Sequence, residues 1–151
     1  MNNKKIIVAA AALLFTLGSC KKETTPSTIS KTVALTQSGW KITSVMMSTN
    51  GAPAVESISM YPSCFVDNIF TFSANTAFTQ TEGLTKCDPT DPDTISTGNW
   101  GFISNETFLN ITDDSTGGVT SLKIITLDAT TFKGEMYDSL SSSNIVYTWK
   151  H

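Results

Sequence analysis

Short runs of strand-forming residues, separated by turn residues, fill the chain from residue 33 to residue 150. The runs are rich in Thr, Ile, Val, Phe, Tyr and Trp, and clusters of Gly, Asn, Asp and Ser interrupt them at intervals of roughly 8 to 12 residues. In the final run, Ile145, Tyr147 and Trp149 share one face, because successive side chains of a strand point to opposite sides. This pattern predicts an all-β fold of antiparallel strands.

The alternation and the turn clusters divide this region into about eight strands. The predicted strands start at Gly39, Cys64, Thr76, Gly98, Phe108, Val119, Thr131 and Ile145. Residues 50–63 and 83–97 are predicted to be long connections, and a helical turn or two is expected at 32–38. Since the other connections are short, the strands close most simply as an antiparallel up-and-down barrel of about eight strands, which leaves no exposed edge. A β-sandwich is the alternative fold.

A set of aromatic side chains on the predicted strands is the candidate interior of this fold. It consists of Trp40, Phe70, Phe72, Phe78, Trp100, Phe102, Phe132, Tyr147 and Trp149. These residues either fill the core or line a cavity for an apolar ligand. The filled core is favoured, because a chain this short has few other large residues with which to fill a barrel.

Several short motifs occur along the chain in a particular order. They are Gly39-Trp40-Lys41-Ile42, Cys64 through Asp67-Asn68 into Phe70-Thr71-Phe72, Lys86-Cys87-Asp88, Gly98-Asn99-Trp100 and Leu127 to Phe132. Together they resemble the lipocalin-like domain of small bacterial envelope lipoproteins, over most of residues 35–150. The resemblance implies a lipocalin-like barrel at the cell envelope, in which the Trp that follows Gly in the first strand closes one end.

Residues 1–19 have the parts of a secretory signal peptide. Lys4 and Lys5 precede an apolar run that is too short to span roughly 30 Å of hydrocarbon. The run is followed by Leu17-Gly18-Ser19-Cys20, which resembles the lipobox of bacterial lipoproteins. That resemblance implies cleavage before Cys20 and a diacylglycerol on its sulfur.

The lipid on Cys20 is expected to hold the protein at a membrane, because each acyl chain contributes about 0.8 kcal/mol per buried methylene. We predict that the chain is anchored in the bacterial cell envelope, at the outer membrane. Residues 20–32 are predicted to be a flexible polar tether, and residues 33–151 to be the folded domain.

Cys64 and Cys87 are the two cysteines that remain after lipidation of Cys20. An even pair in an exported chain predicts a disulfide, which would close a loop of about 23 residues and contribute roughly 3 kcal/mol. Two buried thiols are the alternative. A metal site is disfavoured, because the sequence has neither a Cys-x-x-Cys nor a His near these cysteines.

The remaining polar residues argue against several classes of function. His151 is the only His and the last residue, where chains usually fray, so no Ser-His-Asp or Cys-His arrangement has a base and we predict that the protein is not an enzyme. Nucleic-acid binding is also disfavoured, because the chain has no Arg and a formal net charge of −3. No cofactor is predicted. The acidic loop 88–93 offers carboxylates to calcium but lacks the Gly turn and the bidentate Glu of an EF-hand.

Two functions stay open at this stage. The protein is either a lipid-anchored module that binds a small hydrophobic molecule inside the barrel, or a structural or interaction subunit whose filled barrel presents loops 50–63 and 83–97. The sequence identifies neither the ligand nor a protein partner.

Overall fold

The computed structural model describes residues 29–151. The predicted signal peptide (1–19), the lipidation site Cys20 and most of the predicted tether lie outside these residues. In the part that is described, no helix has both the length and the apolar character that crossing a membrane requires.

The domain is all-β, as predicted, with three short helical segments at its ends. The helical segments are α1 (Lys31–Thr36), a 3₁₀ turn (Ile58–Met60) and α2 (Ser63–Val66). The strands are β1 (Lys41–Thr49), β2 (Val55–Glu56), β3 (Ile69–Phe72), β4 (Ala77–Thr81), β5 (Thr94–Ile103), β6 (Phe108–Asp113), β7 (Val119–Leu127), β8 (Thr131–Asp138) and β9 (Ser143–Lys150). They form one antiparallel sheet of nine strands in the order β2-β1-β9-β8-β7-β6-β5-β4-β3.

The sheet is not closed into the predicted eight-stranded barrel. β1 and β3 meet only at an isolated bridge between Trp40 and Phe70, whose two N–H···O distances are 2.8 and 2.9 Å. The bridge does not extend into a ladder, because β2 occupies the same edge of β1 further along, at Met46 and Met47. The prediction was therefore wrong in strand number and in closure, and the single sheet also differs from the alternative sandwich.

Two β-bulges explain where the alternation in the sequence fails. In β1 the register with β9 shifts between Ile42 and Ser44, so that Val45 faces the core with Ile42. In β7 the register with β8 shifts between residues 124 and 126, which leaves Ile125 49% exposed and packs Leu127 against the core. The apolar residues on both formal faces of β7 therefore belong mostly to one buried face.

The segment from residue 50 to residue 73 differs most from its prediction. The expected connection at 50–63 contains β2 and the 3₁₀ turn, and the expected strand at 64–73 is a strand only at Ile69–Phe72. Its first half forms α2, whose first turn is closed by hydrogen bonds from Phe65 and Val66 to the Pro62 carbonyl. β5 likewise begins at Thr94, inside the expected loop 83–97.

The Cys64–Cys87 disulfide is present, which confirms the predicted pairing. Its two Cα atoms are 5.2 Å apart, and it joins α2 to the connection between β4 and β5. Asp67 strengthens the same junction, because its Oδ2 accepts hydrogen bonds from the backbone N–H groups of Leu84 and Thr85 at 3.0 Å. The disulfide therefore fastens α2 beside the end of β4.

The two ends of the curved sheet are covered differently. At the helix end lie α1, the turns at 73–76, 104–107 and 128–130, and the C-terminus. At the loop end lie the connections 50–54, 82–93, 114–118 and 139–142. The described part of the chain enters the domain at the helix end, through α1. This helix begins at Lys31, two residues before the predicted start of the domain.

Candidate ligand cavity

Trp40 and α1 seal the helix end. Trp40 is fully buried, its ring packs edge-on against Phe132 at a centroid distance of 6.2 Å, and its Nε1 donates to the Leu35 carbonyl at 2.9 Å. Leu35 and Ala34, both on α1, are also buried. The Ser30 side chain caps the helix by accepting from the Val33 N–H. The first helix is thus a lid over one end of the core.

His151 covers Trp40 rather than fraying, although it is the last residue. The two ring centroids are 3.8 Å apart, and Nδ1 of His151 lies 3.1 Å from the Gly39 carbonyl oxygen. Its ring nitrogens also contact the side chains of Gln37 and Ser38. These contacts give the residue a packing role at the sealed end.

A cavity of about 300 Å³ lies inside the curved sheet. Its volume falls at the lower limit of small-molecule sites, which range from roughly 300 to 1,000 Å³. The predicted interior aromatics that line it are Phe70, Phe72, Phe78, Phe132, Tyr147 and Trp149. Trp40, Trp100 and Phe102 do not line it, since Trp40 belongs to the sealed end and Trp100 packs against Phe72 and Phe102.

The sequence did not identify several other lining residues. Phe65, Ile111, Leu122 and Met136 add apolar surface, and Gln80, Ser96, Asp113 and Thr120 add polar groups. Phe65 was missed because it was assigned to a strand, whereas α2 directs it to the cavity. Alternation could have identified the apolar strand residues, because a residue two positions from a predicted interior residue lies on the same face of its strand.

An aromatic wall lines the cavity on β8 and β9. The Trp149 ring stacks on Phe132, its neighbour in the strand register, at 4.6 Å and an interplanar angle of 15°. It also stacks on Tyr147 at 5.4 Å and meets Phe70 edge-on at 6.3 Å. Trp149 is 6% exposed, and its indole Nε1 has no hydrogen-bond partner. The indole nitrogen has almost no accessible surface, so it is enclosed by its neighbours and it is the rest of the ring that lines the cavity.

The polar lining residues are grouped toward the loop end. Gln80 lies next to the end of β4, Ser96 is near the start of β5, Asp113 is the last residue of β6 and Thr120 is the second residue of β7. Because the helix end is sealed, we infer that the cavity opens toward the loop end, where these residues lie. We call them the polar rim.

Asp113 supplies the negative charge of the polar rim. Hydroxyl hydrogen bonds from Ser115 and Ser96, and N–H and hydroxyl hydrogen bonds from Thr116, hold its pKa well below the ordinary carboxyl range. The side chain is therefore a carboxylate at neutral pH. Gln80 is positioned by Asn68, whose Oδ1 accepts from the Gln80 Nε2 at 3.1 Å.

Tyr147 joins the aromatic wall to α2. Its hydroxyl oxygen is 3.3 Å from that of Tyr61, whose ring stacks on Phe65 at 5.3 Å. Burial and this hydrogen bond raise the pKa of Tyr147 above its ordinary value, so the phenol stays protonated. The Tyr61–Phe65 pair therefore packs beside the aromatic wall, where Phe65 lines the cavity.

Within residues 29–151, no group of three or more His, Cys, Asp or Glu side chains is arranged to hold a metal ion. In the acidic loop, Asp88 accepts hydrogen bonds from Thr90, and Asp93 forms an ion pair with Lys86 at 2.7 Å. These carboxylates thus have partners within their own loop.

The geometry defines a class of protein: all-β domains whose single curled antiparallel sheet encloses an aromatic-lined cavity, with a tryptophan and a short helix at one end. A family model described as a lipocalin-like domain matches residues 39–134. The chain belongs to this lipocalin-like domain family, as the motifs in its sequence predicted. A search of the curated proteins finds no match.

Proposed function

We propose that this protein binds one small, mainly hydrophobic molecule in the cavity of its lipocalin-like domain. The observation that carries this proposal is the cavity itself, about 300 Å³ in volume and lined mainly by aromatic and aliphatic side chains with a few polar groups. This is the usual composition of a small-molecule site. A domain that acted only as a scaffold would gain stability by filling the same space.

The lining also limits the kind of molecule that the cavity can hold. Most of it is aromatic or aliphatic, so a bound molecule would bury apolar surface at roughly 25 cal/mol per Å². The expected ligand is therefore mainly hydrophobic.

The proposal includes a location at the bacterial cell envelope, with a lipid on Cys20 and anchoring at the outer membrane. It is supported by the signal-like residues 1–19 and by the lipobox-like residues that precede Cys20. A disulfide between Cys64 and Cys87 accords with an oxidising compartment.

A fluorescence titration with a hydrophobic probe tests binding in the cavity. We expect saturable uptake of one probe per protein, and we expect Ile111→Trp, which adds bulk to the lining, to abolish it. The matched control is Ile125→Trp, which adds the same bulk to an exposed position of β7 and should leave uptake unchanged. Uptake that survives Ile111→Trp, or that is absent from the unmodified protein, contradicts the proposal.

A second function, an interaction subunit at the envelope, is favoured by exposed apolar side chains on the two predicted scaffold loops. Met60 and Leu84 are 74% and 91% exposed, and the Cys64–Cys87 disulfide joins the neighbouring segments. In-cell crosslinking from position 84 tests it. A partner that is recovered from the native chain and lost in Leu84→Ser supports this function, whereas recovery of no partner counts against it.

A further inference from the structure

The charged residues of the domain are distributed unequally between its two ends. Acidic side chains are concentrated in and beside the loop-end connections, at Glu82, Asp88, Asp91, Asp93, Asp113 and Asp114. Within the described residues, Lys86 is the one lysine of these connections, and its ammonium group is already paired with Asp93 at 2.7 Å. At the helix end, by contrast, Lys31, Lys41 and Lys150 lie with Glu106 and Asp128. The cavity mouth is thus on the acidic end.

The lining of the cavity repeats this imbalance at short range. Asp113 is a carboxylate on the polar rim, and no lysine is among the described residues that line the cavity. A ligand with its own carboxylate would therefore have to place a second negative charge beside Asp113 without a cation to pair it. Burial of an unpaired charge is costly, and two like charges a few ångströms apart repel each other.

We propose that the cavity selects amphiphiles whose polar group is neutral or cationic and rejects those whose polar group is an anion. This inference rests on the proposed function, since it specifies the ligand class of the same cavity. A neutral group fits the hydroxyl and amide groups of Ser96, Thr120 and Gln80. A cation gains attraction from Asp113 and from the acidic connections around the mouth.

Binding of three amphiphiles that share one alkyl chain tests the selection. The probes are decyltrimethylammonium, decanol and decanoate, measured by displacement of the fluorescent probe at neutral pH and below micelle formation. We expect decyltrimethylammonium to bind most tightly, decanol next, and decanoate on the order of tenfold more weakly than decanol. Added salt should narrow these differences, because it screens charges beyond about 10 Å at 0.1 M.

The matched variants are Asp113→Asn on the polar rim and Asp128→Asn at the helix end. Both carboxylates accept hydrogen bonds from the backbone N–H and hydroxyl groups of the turn that follows, so the two substitutions disturb their turns comparably. We expect Asp113→Asn to bring decanoate to within about threefold of decanol and Asp128→Asn to keep the original difference. Circular dichroism of each variant establishes that it is folded.

Each outcome is decisive. Decanoate that binds as tightly as decanol in the unmodified protein overturns the selection and leaves the proposed function standing. An equal effect of the two variants overturns the assignment to Asp113. If Asp113→Asn does not fold, the test is the salt dependence of binding to the unmodified protein. A difference between decanoate and decanol that does not change with salt overturns the inference. Failure of all three amphiphiles and of the fluorescent probe overturns the proposed function and this inference with it.

Discussion

Asp113 and Asp128 show how single residues organise the ends of this domain. Each carboxylate stands at or just after the end of a strand and accepts hydrogen bonds from backbone N–H groups of the following turn. Hydrogen bonds to the charged form lower the pKa of both groups, led by the Ser115 hydroxyl for Asp113 and the Thr130 N–H for Asp128. These acids thus fix turns and remain ionised.

The lowered pKa values predict acid sensitivity. A carboxyl group whose pKa is lower in the folded than in the unfolded state adds stability above its unfolded pKa of about 3.9 and loses it as the pH falls toward the folded pKa. We therefore expect the free energy of unfolding to be nearly constant from pH 7 to about 5 and to fall below about 4. Urea denaturation across this range measures it.

Asp113→Asn is the variant that separates the rim carboxylate from the others in the same titration. Its unfolding free energy should decline less steeply below about pH 4, because it lacks one of the carboxyl groups whose pKa is lowered by folding. A decline as steep as that of the unmodified protein would show that Asp113 does not contribute.

For single side chains, the sequence predicted which aromatic residues face inward, because alternation places Phe132 and Trp149 on buried faces. It did not predict the polar rim. Ser96 falls in the expected loop 83–97 and Thr120 looks like an ordinary strand residue, and the role of both depends on which end of the sheet is sealed. The sealed end is determined by the packing of α1 against the sheet, and no local sequence pattern indicates this packing.

β5 and β6 approach each other closely at Gly98. A Cβ atom there would overlap the carbonyl oxygen of Thr112 on β6, whereas a Cβ atom at Gly101, also in β5, would have no atom within 4 Å. Gly98 pairs with Asp113 in the strand register, so this close approach lies directly beside the polar rim. The glycine thus permits the spacing of the strands at the mouth.

Gly98→Ala is expected to destabilise the domain by about 1–3 kcal/mol, the usual cost of overpacking, and to weaken probe binding. Gly101→Ala, in the same strand, should change stability by less than about 0.5 kcal/mol. Urea denaturation and probe titration of both variants check this expectation. Equal stability of the two variants would contradict the close approach of β5 and β6.

Loss of the Cys64–Cys87 disulfide is expected to affect both stability and binding. Replacing both Cys64 and Cys87 with Ser should lower the free energy of unfolding by about 3 kcal/mol, because the unfolded chain is no longer constrained. Probe binding should weaken as well, since α2 carries Phe65 to the cavity. Reductant should destabilise the unmodified protein and leave the double variant unchanged. If reductant has no effect on the unmodified protein, the prediction is wrong.

The elements were predictable where one strand ran uninterrupted between clear turns, as in β8 at Thr131–Asp138. Prediction failed at residues 64–68, where apolar residues that also suit a strand form α2 and a turn. The disulfide and the Asp67 hydrogen bonds hold this segment against the connection that follows β4. Such long-range contacts override local strand propensity.

Across the whole molecule, the two ends of the sheet have opposite roles. α1, Trp40 and His151 close the helix end, and the polar rim borders the cavity at the loop end. A closed barrel was predicted because short connections favour full closure. The sheet instead stays open beyond the Trp40–Phe70 bridge, since β2 takes up the remaining edge of β1. The pairing of β2 with β1 depends on the path of the long connection 50–63, which the sequence pattern did not reveal.

The proposed lipid on Cys20 attaches the whole protein to a membrane. We expect Cys20→Ala to prevent incorporation of labelled palmitate and to release the protein from membranes, while Cys64 and Cys87 stay paired and the domain stays folded. Membrane fractionation and labelling of both proteins in cells measure this. Incorporation of no label into the native chain would contradict the proposed lipid anchor.

Native mass spectrometry of the purified protein, incubated with the hydrophobic probe, shows directly whether the cavity is occupied. If the cavity is a binding site, the spectrum shows a complex of one protein and one probe, which Ile111→Trp removes and Ile125→Trp retains. A spectrum that shows only the unbound protein, or a complex that Ile111→Trp leaves intact, would contradict binding in this cavity.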